Sequence, residues 1–154
     1  MYKRQALYGI HPSRVTPLPA DFKPALVWKT LVAQVKRLPQ GHFVGDSNTY
    51  RTRDASWIAV LPVGFSDGFR RGPFRWPHVL IRGEYAPLIG QVSMDLAVAD
   101  VTGIEGVQAG EEVVLLGEQG RRAITVEDVA EQLETSVYEV VSTCLLYTSP
   151  SPRD

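Results

Sequence analysis

From residue 25 onward, short runs rich in β-branched and aromatic residues alternate with turn-forming punctuation. The runs over residues 25–36, 57–63, 78–81, 86–92, 96–101, 112–116 and 122–124 read as strands. Roughly seven such segments predict a mostly β domain, a sandwich or a barrel. The run Trp57-Ile-Ala-Val-Leu-Pro-Val63 is apolar on both faces and should lie centrally, with Pro62 near its end. In the first run Val27, Leu31 and Val35 also keep a helical spacing, but Trp28, Thr30 and Val32 decide for strand.

One helix is clear, towards the end of the chain. Thr125 with Asp128 makes a capping box, Val126, Val129, Ala130 and Leu133 form an apolar stripe, and acids fill the first turn. A second short helix is expected from Ser136, capped with Glu139. Before the strands, Ala6-Leu-Tyr-Gly-Ile10 reads as the end of a buried element. Pro12, Pro17, Pro19 and Pro24 then exclude a regular helix over 11–24, so residues 6–24 are expected to close one domain and link it to a β domain over 25–143.

Residues 1–5 and 144–149 can be back-translated into words that are reverse complements over nearly their whole length, as adapter sequences would be. Residues 1–5 and 144–154 are therefore expected to be non-native and are set aside. Of 154 residues, 44% are apolar, which suits one globular domain with a buried core. The net charge of −1 becomes −3 without Lys3 and Arg4 and offers no basic footprint for nucleic acid. Cys144, the single cysteine, falls in an excluded end, and His11, His42 and His78 are too scattered for zinc, so neither a disulfide nor a metal site is expected. No stretch approaches the ~20 apolar residues of a membrane span, and a cytoplasmic protein is the expectation.

Three blocks carry candidate chemistry: Val44-Gly-Asp-Ser-Asn-Thr-Tyr50, Gly64-Phe-Ser-Asp-Gly-Phe-Arg-Arg71 and Gly90-Gln-Val-Ser-Met-Asp95. By residue type the first is a turn, since Gly45, Asp46, Ser47 and Asn48 are turn formers. The second is a turn around Asp67-Gly68 with Phe65 and Phe69 packing. The third pairs a methionine, ordinarily a core filler, with an aspartate that caps or turns.

Taken in order, the blocks resemble the carboxyl-terminal domain of the alanine racemase family, and the resemblance covers residues 6 to about 143. It implies an alanine racemase C-terminal-like β domain with one or two short helices near its end. It further implies a pyridoxal phosphate enzyme that converts L-alanine to D-alanine for cell-wall precursors. The cofactor's Schiff-base lysine belongs to an amino-terminal barrel. The resemblance also implies a homodimer in which this domain completes the partner's site, and a fragment that is inactive alone.

Racemisation through a planar carbanion needs a proton-transfer group on each face of the α-carbon. The family's first block supplies one of them, a tyrosine, in the pattern Val-Ser/Gly-Tyr-Gly-x-Thr-Tyr. Asp46 stands at that position here, followed by Ser47 instead of glycine. Carboxylates are weaker bases than phenolates by about six powers of ten, so Asp46 would act through its surroundings or a water. The resemblance places Met94 at the substrate carboxylate, and Phe65, Asp67, Arg71 and Asp95 along the entryway and the site lining. It places Tyr138, in Val-Tyr-Glu-Val, near the cofactor phosphate.

Two other readings compete. A relative acting on another amino acid, or a β interaction module without chemistry, would share this fold. A helix-turn-helix over 125–142 fails on charge, since its helices carry Glu127, Asp128, Glu131, Glu134 and Glu139 with no lysine or arginine to meet phosphates.

Overall fold

In the computed structural model, residues 9, 19, 23–72 and 76–143 are described. The expected non-native ends, most of the 6–24 connection and residues 73–75 lie outside the described residues. Strand β9 (Glu112–Gln119) organises the larger sheet. It pairs antiparallel with β1 (Trp28–Leu31), β6 (His78–Ile81) and β10 (Arg122–Ile124), and β7 (Glu84–Pro87) pairs with β6. Residues Val113, Val114, Leu115 and Leu116 of β9 are all buried, which fits a strand covered on both faces.

A second sheet has the order β2 (Gln34–Leu38), β5 (Ser56–Leu61), β8 (Ala97–Asp100). Strand β5 is central, as its two-faced apolar run predicts, and Pro62 falls just beyond its end. A hairpin of β3 (Phe43–Val44) and β4 (Tyr50–Arg51) completes ten strands among the described residues. The sheets are open, so of the two expected forms the closed barrel is ruled out.

Two expected strands are corrected. The run over 25–36 is two strands, because at Val32 the chain changes partners: Val32 N–H donates to Glu111 O, and the next amide, Ala33, donates to Val60 O in the other sheet. The run over 86–92 likewise ends at Pro87, after which Leu88 bridges Ala99 of β8. Both segments turn corners between sheets, which closes a sandwich where periodicity alone sees one long strand.

The core between the sheets is mainly Val, Leu, Ile and Ala. It is finished by Trp28, Phe69 and Trp76, whose ring centroids lie 4.9–5.8 Å apart. Each fully buried Leu or Val contributes roughly 1.5–3 kcal/mol. Helix α1 (Val126–Gln132) is capped by Thr125 and Asp128 and buries Val126, Val129 and Ala130; helix α2 (Val137–Thr143) follows Ser136. Among the described residues no helix is long and apolar enough to cross a membrane.

Candidate active site

The β3–β4 hairpin is held down by a small apolar cluster of Val44, Ile58 and Ile89, which leaves its loop to be set by polar contacts. Gly45, Ser47 and Asn48 take left-handed backbone with φ of 82°, 57° and 54°. Glycine adopts this without cost and asparagine tolerates it. Asp46 sits between them. Its N–H donates to Gln91 O at 3.1 Å, and its C=O accepts the Thr49 hydroxyl at 3.2 Å. The same hydroxyl accepts the Gln91 N–H at 2.7 Å, so Thr49 joins the first block to the third.

The join is so close that only glycine fits on either side. A Cβ at Gly45 would lie 2.5 Å from Gln91 N, and one at Gly90 would lie 2.7 Å from Val44 O.

The second block meets the third in the same manner. Phe65–Asp67 form a 3-10 turn whose N–H groups at Phe65 and Ser66 donate to Ser93 O and Met94 O. The Ser66 hydroxyl donates to Met94 O at 2.8 Å and to the Asp95 carboxylate at 2.9 Å. Asp95 thus steadies the loop, and the Met94 N–H is not used in these contacts. A Cβ at Gly64 would lie 2.1 Å from Met94 O.

Asp67, expected along the entryway and the site lining, also caps its own turn. Its carboxylate accepts the Gly64 N–H at 2.9 Å, because an acid three residues beyond the start of a turn reaches the amide left unpaired there.

Charge closes the triangle. Arg71 Nη2 donates to Asp46 Oδ2 at 2.7 Å, and the guanidinium carbon stands 5.4 Å from the Phe65 ring centroid. The Arg71 Nε is buried without a hydrogen-bond partner among the described residues. Both side chains of the pair are about two-fifths exposed, so the bond contributes geometry more than stability. Phe65, Met94, Leu96 and Tyr138 are exposed large apolar or aromatic side chains on this part of the surface and on α2.

Tyr138 has no hydrogen bond to the three loops among the described residues. Its helix is tied to the second block by Arg70, 3.4 Å from the Glu139 carboxylate, which also accepts the Thr135 hydroxyl. A cleft of about 210 Å³ lies between them, bounded by Phe65, Arg70, Trp76, Glu139 and Val140. Thr49, Arg70 and Glu139 were not singled out for the site by sequence. Thr49 was visible as the threonine of the first motif, but the Arg70–Glu139 contact joins residues far apart in the chain and had no local signal.

Burial pushes the His78 imidazole down, partly opposed by Asp128, and a hydrogen bond from Lys29 holds the Glu112 carboxyl low.

The cluster therefore presents a carboxylate with one oxygen held and the other without a hydrogen bond among the described residues, a cation beside it and an apolar rim. Such a set can accept, hold and return a proton at a fixed place.

The profile of the family described as "Alanine racemase, C-terminal domain" matches residues 25–147. An alanine racemase of Halothermothrix orenii is 45% identical over 135 residues, covering 88% of this chain and 36% of that protein. The crystal structure of the alanine racemase from Bacillus anthracis with bound L-Ala-P is 33% identical with a TM-score of 0.83, over 91% of this chain and 36% of that one. The alanine racemase from Bartonella henselae with covalently bound pyridoxal phosphate is 26% identical with a TM-score of 0.76, over 90% and 37%. The chain spans about a third of the length of the relatives it matches.

Proposed function

Because the chain belongs to the alanine racemase C-terminal domain family, we propose that it is the carboxyl-terminal part of a pyridoxal-phosphate-dependent enzyme interconverting L- and D-alanine. The single observation that carries the reading is the assembly of all three motif blocks into one surface, with Asp46 at its centre and Arg71 and Met94 in the loops around it. In the parent enzyme this surface faces the barrel domain of a second subunit. The chain alone should then be inactive, and the parent is a cytoplasmic homodimer.

The residues present fit the cofactor's partner role. Its covalent anchor would be a lysine of the other domain, while exposed Tyr138 offers a phenol to its phosphate. When bound, the cofactor draws electrons from the α-carbon so that its proton becomes removable. The Met94 N–H, without a hydrogen bond among the described residues, is the donor for the substrate carboxylate. Asp46 takes the proton on one face of the α-carbon or returns it there, directly or through a water. The apolar side chains of Phe65 and Met94 keep bulk water from that transfer.

The test is alanine interconversion by the full-length parent enzyme with pyridoxal phosphate, in the native form and as Asp46→Tyr. Turnover by the native form supports the reading. Turnover by Asp46→Tyr alone would mean that the natural reaction is a different one on this fold.

A further inference from the structure

Asp46 is held at three points: its N–H on Gln91 O, its C=O on the Thr49 hydroxyl, and Oδ2 on Arg71. Oδ1 is the carboxylate oxygen without a hydrogen bond among the described residues. A free aspartate exchanges its two oxygens by rotation of a soft terminal torsion. A guanidinium 2.7 Å from one of them removes that equivalence, and its carbon also stands 5.4 Å from the Phe65 ring centroid.

We propose that Arg71 is the positioning residue for Asp46, holding Oδ2 so that Oδ1 alone exchanges a proton with the substrate. The inference rests on the functional reading above and assigns Arg71 more than a place along the entryway. In the forward step the bond from the α-carbon to hydrogen breaks, its electron pair stays with the carbon, and the proton binds Oδ1. In the reverse direction the α-carbon's electron pair takes that proton from Oδ1, forming the C–H bond on the same face, and the carboxylate is regenerated. Arg71 binds and releases nothing. Its planar fork, which lysine lacks, keeps the acceptor oxygen at one position through both steps.

The first readout needs no turnover. In the full-length enzyme the ¹⁵N resonances of the Arg71 guanidinium should show hindered rotation, and Asp46→Asn should release it while the other amide signals stay in place. The second is kinetic. Arg71→Ala should lower kcat by about 100-fold, the scale of a misplacement near 1 Å, with KM within about twofold. Guanidinium ion added to that variant should restore part of the rate, Arg71→Lys should recover less than the native enzyme, and Asp46→Asn/Arg71→Ala should be no slower than the worse single variant.

Unhindered rotation in the native enzyme, a change in KM alone, or a double variant slowed by the product of the single effects would overturn the proposal. If the native enzyme does not racemise alanine, the functional reading falls by itself. Exchange of the alanine α-proton with D2O then carries the same kinetic comparison, and a native enzyme with no exchange overturns both.

Discussion

The β9 side of the core and the three-loop surface are built by opposite means. Around β9, Leu80, Ile81, Val113, Val114 and Leu115 are wholly buried and meet neighbours through non-directional apolar contact. At the loops, little is buried. Position there is fixed by backbone hydrogen bonds, by approaches that admit no Cβ, and by one ion pair. Cores of the first kind accept a similar volume in another shape. The loops accept almost any exposed side chain but no added atom at Gly45, Gly64 or Gly90. Stability and site geometry are therefore separable in this domain, and substitutions can be chosen to strike one without the other.

The largest effect should come from the core. Leu80→Ala should cost roughly 2–5 kcal/mol by lost burial and a cavity, read as a lower urea midpoint with the loop amides otherwise unchanged below the transition. An effect under about 1 kcal/mol would mean that the sheets repack freely and that the contrast is false.

Gly45→Ala comes next. It forces both a left-handed backbone on alanine and a Cβ into Gln91 N, so roughly 1–3 kcal/mol is expected, together with faster hydrogen exchange confined to the Asp46 and Gln91 amides. Exchange spread evenly over β9 would show that the loops and core are one unit after all.

The smallest effect is expected at His78, on the core side, edge-on to Tyr85. Burial lowers its proton affinity in the folded state, so the unfolded chain binds the proton more readily. Its contribution is then favourable above the ordinary histidine value near ~6.5 and declines as the pH falls below it towards the lowered folded-state value. Unfolding midpoints of His78→Gln should vary less with pH across that window than those of the native chain. Identical pH profiles would remove the assignment.

The same division explains what could be read from the amino acids. Strands His78–Ile81 and Arg122–Ile124, the Thr125–Asp128 box and the helix start at Ser136 are local statements, in which a few adjacent side chains settle the backbone. The corners at Val32 and Leu88 depend on which sheet lies within reach, and no period of two or 3.6 encodes that. The two-residue strands at Phe43–Val44 and Tyr50–Arg51 are too short to carry any period, and only the turn residues between them could be read.

In the candidate site, the three blocks could be read as turns because each carries its own turn chemistry and its own glycine. The Arg71–Asp46 bond spans 25 positions and was beyond any local rule. For Asp67 the converse holds: its bond to the Gly64 amide spans three positions and is a local capping pattern.

The contact between Gly45 and Gly90 has a bearing on how such a domain can diverge. Each glycine occupies the space that a side chain at the other would need, so a methyl at either position meets the opposite backbone and a second methyl only worsens the fit. No single replacement opens a path that a later one completes. Drift can alter Asp46, Ser47 or Gln91 between and beside the glycines while the pair itself stays fixed. In this way the chemistry of the loop can change without moving the loop.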